Sequence, residues 1–377
     1  MNLRHVVAVT TKELKYIQRD RATLFLVLLT PTLLLLMMAY AVTADIKNVP
    51  IAVVDLDRSP TSRIFLQQLA VGDDLDLVRQ DDSIEVVEEL LLKEMIDVAI
   101  IIPHGFENNL LALRGMPLQM IVDGTEPQTG GFAVDQIAQR AEAFTAGLLA
   151  EQLAAIGIDP ESFEPIDMRV RTWYNPNLEA RVDLVPGLLS MVLGIPGLTV
   201  ALTLAREREH GTMEQLMATP ISRSELLLGK MGPYVIGGLV NVVITTIVAI
   251  LWFDVPLNGS FLLFLLLSTI FFFALLSMGM LIGVLIHTQA GAMALAFLMV
   301  FVPGLFLTGI FFPLASMPPI VRMEALALPG SHYAIITRGI FTTGIGLEIL
   351  WPYAIALFVL GLIFTAVAAI IFRKKLA

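Results

Sequence analysis

Long apolar stretches, separated by short polar segments, are the feature that most restricts how this chain can fold. A helix needs about 20 mostly apolar residues to cross a bilayer, because lipid offers its backbone no hydrogen-bond partner. Hydrophobic residues make up 56% of the chain and charged residues 15%, which is too apolar for an ordinary soluble core. The sequence therefore predicts a membrane α-helical protein with six spanning helices, at residues 22–42, 183–205, 231–253, 260–286, 290–313 and 350–372.

A segment of about 140 residues separates the first predicted span from the other five. Between residues 43 and 183 the chain has 25 acidic and 10 basic side chains, so the remainder is net positive. Apolar runs that end in turns predict strands there, and stretches rich in alanine and leucine predict helices. We expect an inserted α/β domain at residues 43–182, with strands at 51–54, 97–102, 118–122 and 168–173 and helices at 62–70 and 132–156.

Five aspartates form the densest acidic cluster of that domain. Their oxygen atoms are of the kind that divalent cations prefer, but their spacing does not match the twelve-residue calcium loop. A solvated charged face is the interpretation that the sequence favours. The residues are Asp73, Asp74, Asp76, Asp81 and Asp82.

Lysine and arginine side chains gather near alternate ends of the predicted spans. Five precede the first span, four lie between the second and third, and three follow the sixth, whereas residues 254–260 contain none. Because basic residues favour the cytoplasmic side, both termini are expected inside, including the tail 373–377, and the α/β domain outside. Residues 314–349 then form an outer re-entrant or helical hairpin. A cleaved signal peptide fits less well, because the first apolar run exceeds a signal core of 7–15 residues.

Residues 1–21 have the pattern of an amphipathic helix. Apolar residues recur there at roughly helical spacing, with basic residues between them. This pattern predicts an elbow helix in the cytoplasmic interface, with basic side chains reaching lipid phosphates. A solvated cytoplasmic tail remains the alternative. The apolar positions are Leu3, Val6, Val7, Leu14 and Ile17.

The residues that catalysis and cofactor binding require are missing or scattered in this sequence. Cysteine is absent, which excludes disulfides and thiolate chemistry. No Gly-x-x-x-x-Gly-Lys-[Ser/Thr] loop occurs, because Gly229-Lys230 is followed by Met231. The five histidines are dispersed along the chain. We expect a chain that is not an enzyme and binds neither metal nor cofactor, and the net charge of −10 argues against nucleic acid as a partner.

A charged cytoplasmic segment follows the second predicted span, within residues 206–230. Its alternating charges can pair across helical turns, and an apolar patch and a proline follow them. This pattern predicts a short amphipathic helix over residues 206–217 that docks a soluble partner, and an ordinary charged loop is the alternative. The candidate docking residues are Arg206, Glu207, Arg208, Glu209, Gly211, Thr212, Glu214, Leu216 and Met217.

Polar and helix-breaking residues inside the spans are candidates for a transport path. Asn241 and Thr245 share one face of the third span, where they line a path or bond between helices, and the second role is slightly favoured. Pro196 marks a bend or close packing in the second span, and Pro303 and Phe311 mark the end of the fifth. Because no span carries a central charge, ion-coupled transport is poorly supported and an amphipathic or apolar solute is expected.

Several motifs together resemble the ABC-2 type permeases of bacterial ATP-binding-cassette exporters. The run Arg-Glu-Arg-Glu-His-Gly-Thr-x-Glu-x-Leu-x-x-x-Pro from Arg206 is similar to that family's signature. Further similarity lies at residues 51–59, 123–125, 173–176 and 311–318, and the one-plus-five order of the spans agrees along essentially the whole chain. The likeness is greatest to the branch with a large external domain.

The resemblance implies a set of partners and a location. Two permease chains, identical or paralogous, would sit in the inner membrane on two cytoplasmic ATPase subunits, which carry ATP and Mg²⁺. The docking helix would receive the ATPase motion, and His287 and Gln289 would form a second contact. A periplasmic adaptor often assists related exporters. The alternative function is a membrane receptor or assembly scaffold that uses its external domain to bind a partner.

Overall fold

The computed structural model describes residues 2–42, 47–81, 83–112, 114–115, 118–157, 173–176, 179–211 and 221–371. The chain forms two compact units. The helical unit comprises Met1–Ala44 and Arg171–Ala377, and the α/β unit comprises Asp45–Val170. The predicted strand at 168–173 lies almost wholly outside the described residues.

The helical unit begins with α1 (Leu3–Arg19) and α2 (Arg21–Val42). The α/β unit follows with β1 (Val49–Asp55), α3 (Pro60–Leu69), β2 (Leu75–Asp81), α4 (Glu85–Leu92), β3 (Val98–Ile102), α5 (Phe106–Leu111), β4 (Gln119–Val122) and α6 (Pro127–Ala155). The helical unit resumes with α7 (Ala180–Val192), α8 (Ile195–Glu209), α9 (Arg223–Leu251), α10 (Phe261–Leu285), α11 (Gln289–Ala296), α12 (Val302–Phe306), α13 (Pro319–Leu326), α14 (Pro329–Arg338) and α15 (Leu347–Ile371).

Five helical segments among the described residues are long and apolar enough to cross a membrane. A shorter apolar helix, Val27–Ala41, lies within α2. The prediction of a membrane α-helical protein is therefore confirmed, whereas the full number of spans stays a prediction. The five segments are Ala180–Glu209, Ser224–Leu251, Phe261–Leu285, Gln289–Phe306 and Leu347–Ile371.

Two of these segments are interrupted near prolines. In the first, α7 ends at Val192 and α8 restarts at Ile195 with Pro196 in its first turn, where the missing N–H of proline costs nothing. In the second, a π-helical turn at Phe297–Phe301 precedes α12, which has Pro303 in its first turn. Such local rearrangements satisfy backbone groups that a proline would otherwise leave unpaired in lipid.

Glycines permit the closest helix contacts around α10, which packs against α8 and α15. A Cβ atom on Gly279 would overlap the carbonyl oxygen of Gly197, and one on Gly283 would lie 2.9 Å from that of Ala201. Small residues are the usual means by which helices approach in a membrane, where apolar burial alone does not drive association.

The α/β unit is a four-stranded sheet in the order β2-β1-β3-β4, covered by helices on both faces. β1 runs parallel to β2 and β3, and β4 is antiparallel to β3. On one face the sheet packs against α3, α5 and α6, through Phe65, Phe106 and Phe144 among others. On the other face it packs against α4, through Val87 and Leu90. The α/β fold predicted for this segment is thus present.

The edge strand β2 was not predicted, and it contains part of the acidic cluster. Its apolar residues are few, but Leu75 is buried and the strand pairs along β1. Asp74 accepts a hydrogen bond at 3.0 Å from Arg140 on α6, and Asp81 pairs with Arg79. Pairing with β1 therefore stabilises β2 as a strand, although the composition of β2 alone does not predict one.

Asp55, the last residue of β1, and Asp57 just after it stabilise the local structure by accepting hydrogen bonds. Asp55 accepts hydrogen bonds from the backbone of Asp57 and from the Ser62 hydroxyl at 2.7 Å. Asp57 accepts from three consecutive backbone N–H groups at the start of α5, those of residues 105–107. A carboxylate at this position satisfies donors that the first helical turn leaves unpaired.

Candidate coupling site and transport path

The predicted docking segment begins as a continuation of α8. Residues 206–209 form the last turn of that helix, and Gly211 follows with a φ of +72°. Residues 206–209 of the predicted docking helix are thus helical, but they belong to α8, which extends directly from the apolar residues into the charged ones, and the helix over residues 206–217 stays a prediction. Four predicted docking residues, Thr212, Glu214, Leu216 and Met217, lie outside the described residues.

The end of α8 is tied to the turn between α10 and α11. Glu209 accepts hydrogen bonds from the backbone N–H of Gln289 at 2.9 Å and from its side-chain amide at 3.1 Å. Arg208 donates to the carbonyl oxygen of Val284 at 2.5 Å. Arg206 and His287 are exposed. The structure therefore brings together Glu209 and Gln289, which were predicted to be two separate contacts with the ATPase.

A buried ion cluster joins α8 to α1 and α9. The ammonium group of Lys230 lies 2.5 Å from Glu207 on α8 and 3.2 Å from Glu13 on α1. The side chains of Lys230 and Glu13 are only 4% and 5% exposed. A buried charge is tolerated where partners of opposite sign compensate its lost hydration.

The sequence placed Glu207 in the docking segment but did not identify Lys230 or Glu13 as its partners. The position of Lys230 could have indicated a buried charge, because it interrupts the apolar run that becomes α9. The position of Glu13 was a weaker indication, because it lies on the face of α1 that also buries Val9 and Ile17. Neither position indicates which helix the charged group would contact.

Further contacts fix α1 against the first turns of α9. His5 lies 3.0 Å from Glu225, which also receives the backbone N–H of Asn2 at 2.5 Å. Thr10 donates to the carbonyl oxygen of Gly229 at 2.9 Å, and a Cβ on Gly232 would lie 2.6 Å from Thr10. The predicted amphipathic helix is present, and its polar contacts make it part of the helical bundle at this end.

Asn241 and Thr245 are fully buried in α9. The side-chain amide of Asn241 donates to the carbonyl oxygen of Val27 on α2 at 2.5 Å, and Thr245 donates to the backbone of its own helix. Within the described residues, Asn241 Oδ1 and Thr246 Oγ1 are buried without a hydrogen-bond partner. Asn241 thus makes the interhelical contact that the sequence left open.

The other candidate path residues lie elsewhere in the helical unit. Pro303 lines a cavity of about 20 Å³, together with Gly194, Phe271 and Thr308. That volume is enough for about one water molecule. Pro196 is buried at the start of α8, and Phe311 is 36% exposed. Neither Asn241 nor Thr245 lines this cavity, so the five candidates do not converge there.

Arg338 joins three segments at the opposite end of the Ala180–Glu209 span from the ion cluster. Its guanidinium donates to the carbonyl oxygens of Gly309 at 2.7 Å and Ile310 at 3.2 Å, and to the carboxylate of Asp183 at 3.0 Å. The loop after α12 and the start of α7 are therefore held by one side chain of α14. The sequence offered Arg338 only as one of two basic residues in a long loop.

A family model described as ABC-2 family transporter protein matches residues 21–370 of this chain. That match covers most of the chain and includes both compact units. The chain belongs to the ABC-2 family of transporter proteins. The family resemblance inferred from the run beginning at Arg206 is thereby confirmed.

Several proteins with sequences similar to this chain are named as transporters or transport permeases. It is 28% identical over 348 residues to the probable multidrug ABC transporter permease YbhS of Escherichia coli K12, covering 91% of this chain and 90% of the relative. It is 28% identical to the inner membrane transport permease YhhJ of the same strain, covering 100% and 98%. ABC transporter G family member 20 of Dictyostelium discoideum is 24% identical over 99% of this chain and 51% of that protein.

Proposed function

We propose that this chain is the membrane-spanning permease subunit of an ATP-binding-cassette exporter. It moves an amphipathic or apolar solute out of the cytoplasm or the inner leaflet, driven by a separate ATPase subunit. Membership of the ABC-2 family carries this proposal, and the permease names of YbhS and YhhJ agree with it. Because the sequence has no Gly-x-x-x-x-Gly-Lys-[Ser/Thr] loop, we assign ATP and Mg²⁺ to the ATPase subunits.

The arrangement in the membrane follows from charge and helix length. Six spans cross the inner membrane when α2 is counted with the five long apolar segments, and both termini are cytoplasmic. In this arrangement α1 is an elbow helix at the cytoplasmic interface, and the α/β unit is extracytoplasmic. A second permease copy or a paralogous permease completes the membrane part, and a periplasmic adaptor can join from outside.

The ATPase contact lies at the charged end of α8. Glu209 fixes Gln289 and Arg208 fixes the end of α10, while Glu207 fixes Lys230 on α9. A push on the segment that continues from Gly211 therefore moves three elements that share hydrogen bonds with α8. The same span reaches Asp183 and its contact with Arg338 at the other end. Motion of the α7–α8 pair can thus connect the ATPase to the outer loops.

Co-purification tests the assignment most directly. We would purify the tagged chain in mild detergent, identify the proteins that accompany it and measure ATP hydrolysis. A stoichiometric Walker-motif subunit with hydrolytic activity is the expected result. A stable chain without any ATPase in several detergents would contradict the exporter assignment and favour a receptor or scaffold.

Charge reversal at the docking segment tests the coupling role. The variant Glu209→Lys with Glu214→Lys is expected to abolish ATP-driven uptake of an amphipathic fluorescent dye into inverted vesicles, because it repels the ATPase contact and releases Gln289. The matched control reverses two exposed acids of the helical unit, Glu324→Lys with Glu348→Lys, and should transport normally. Normal transport by the first variant, with an unchanged elution profile, would refute the docking assignment.

A further inference from the structure

A groove of 740 Å³ lies in the α/β unit between α4 and the end of β4. It exists because α4 covers β1 and β3 on this face of the sheet, while β4 is the outermost of the described strands on that side. Ile121 on β4 remains only partly buried there. A sheet face that ends before its edge strand is covered has room for a further apolar group.

The floor of this groove is apolar and unusually exposed. It is formed by Leu91, Leu92, Ile121 and Val122, with Ile84 at one side. Leu92 is 78% exposed and Ile84 is 45% exposed, although both belong to a folded unit with its own buried core. Contiguous exposed apolar surface framed by polar residues is a common mark of a binding site.

The rim of the groove has a single sign of charge. Four carboxylates line it, those of Glu85, Glu88, Glu94 and Asp123. Among the described residues that line the groove, none is a lysine, arginine or histidine. A concave surface with low-dielectric walls and one sign of charge concentrates ligands of the opposite sign.

Local hydrogen bonds keep two of these carboxylates ionised. The hydroxyl of Ser83 donates to Glu85 and lowers the pKa of that carboxyl. The backbone N–H and hydroxyl of Thr125 donate to Asp123 at 2.8 and 2.7 Å and lower its pKa. Nearby, burial together with the charges of Glu126 and Asp123 raises the pKa of Asp97, as expected where negative potential accumulates.

We propose that this groove binds a small amphipathic organic cation. The apolar body of the ligand lies on Leu91, Leu92 and Ile121, and its ammonium, phosphonium or guanidinium group faces the carboxylates of the rim. The groove volume falls within the range of about 300–1,000 Å³ typical of small-molecule sites. A neutral analogue lacks the attraction of the rim, and an anion is repelled. The site belongs to the α/β unit, and the proposal does not depend on which solute the permease exports.

Binding to the full-length chain tests this proposal without any ATPase. The chain is placed in nanodiscs of zwitterionic lipid at low salt, and tetraphenylphosphonium is titrated by equilibrium dialysis, with triphenylphosphine oxide as the neutral analogue. Empty nanodiscs correct for partition into lipid. We expect saturable binding of the cation with one site per chain, weakening as salt is added, and no saturable binding of the neutral analogue.

Two variants distinguish the groove from general attraction to an acidic domain. Glu85→Gln with Glu88→Gln and Glu94→Gln should weaken tetraphenylphosphonium binding by about eightfold, since each lost charge contributes about a factor of two. The control Asp76→Asn with Asp135→Asn and Glu151→Gln removes the same charge from exposed positions outside the groove and should change binding by less than about twofold. Leu92→Ser should weaken it by about fivefold through the lost apolar contact.

Three results would overturn the proposal. The first is no saturable binding above empty nanodiscs, as when another part of the chain fills the groove. The second is an equal loss of binding in the two triple variants, which would mean attraction to the domain as a whole. The third is unchanged binding in the groove variant when its melting temperature equals that of the original chain. A negative result leaves the exporter assignment intact, because that rests on family membership and is tested separately by co-purification with an ATPase.

Discussion

Replacing Lys230 by methionine should destabilise the helical unit more than any other removal of a single charge from its ion pairs. The substitution keeps most of the side-chain volume but leaves Glu13 and Glu207 facing each other without their shared cation. Removing one partner from a buried ion pair costs about 3–5 kcal/mol, because the remaining charge stays desolvated. We therefore expect the apparent melting temperature to fall by about 5–10 °C.

Lys12 provides a matched control on the same anion. Its ammonium group lies 3.4 Å from the same oxygen of Glu13 that Lys230 contacts, but its side chain is 59% exposed. Lys12→Met should therefore cost less than about 1 kcal/mol, as surface ion pairs do. Both variants remove a positive charge that contacts the same carboxylate. The difference between their melting temperatures therefore measures the effect of burial and of the second partner, Glu207.

Thermal unfolding of the chain in nanodiscs, followed through its three tryptophans, measures both variants. The triple variant Lys230→Met with Glu13→Leu and Glu207→Leu should regain most of the lost stability, because an apolar cluster of similar volume needs no compensating charge. Equal melting temperatures for Lys230→Met and Lys12→Met would refute the reasoning, since the cluster would then contribute no more than a surface pair.

Three further predictions concern other contacts of the structure. Asp57→Ala should cost about 1–3 kcal/mol in the α/β unit, because three backbone donors of α5 lose a charged acceptor, as measured by chemical unfolding. Gly232→Leu should separate α1 from α9, because even a Cβ would lie 2.6 Å from Thr10, and should increase proteolysis of α1. Arg338→Gln should lower the melting temperature and the transport rate, because three acceptors lose their donor, whereas the exposed Arg322→Gln should change neither.

A specific result would contradict each of these three predictions, and the contribution of Asp57 to stability should also depend on pH. Burial raises the pKa of Asp57, but hydrogen bonds from Ser59 and from the backbone of residues 105–107 outweigh it and lower the pKa below its ordinary value. Its stabilisation is therefore present above the unfolded pKa and lost as pH falls through the folded one. If Asp57→Ala leaves the pH dependence of stability unchanged in the acidic range, the prediction for Asp57 is contradicted.

Resistance of α1 to proteolysis in Gly232→Leu would contradict the prediction for that glycine. Equal effects of Arg338→Gln and Arg322→Gln would contradict the prediction for Arg338.

The apolar runs alone determined that this is a membrane α-helical protein, because a bilayer admits few other structures for such segments. The same local logic located β1, β3 and β4 by their apolar runs. These features depend on residues within a few positions of one another. The run from Arg206 is equally local, and together with the other motifs it indicated the ABC-2 family.

Only the tertiary structure decided which groups meet across the chain. Lys230 finds Glu13 over a separation of 217 residues, and Asn241 finds Val27 over 214. β2 becomes a strand because β1 lies beside it, and Arg206–Glu209 remain helical because α8 continues into them. Sequence periodicity gives each helix or strand its apolar face, but the partner of a polar group depends on which faces pack together, and that choice is made by the whole bundle.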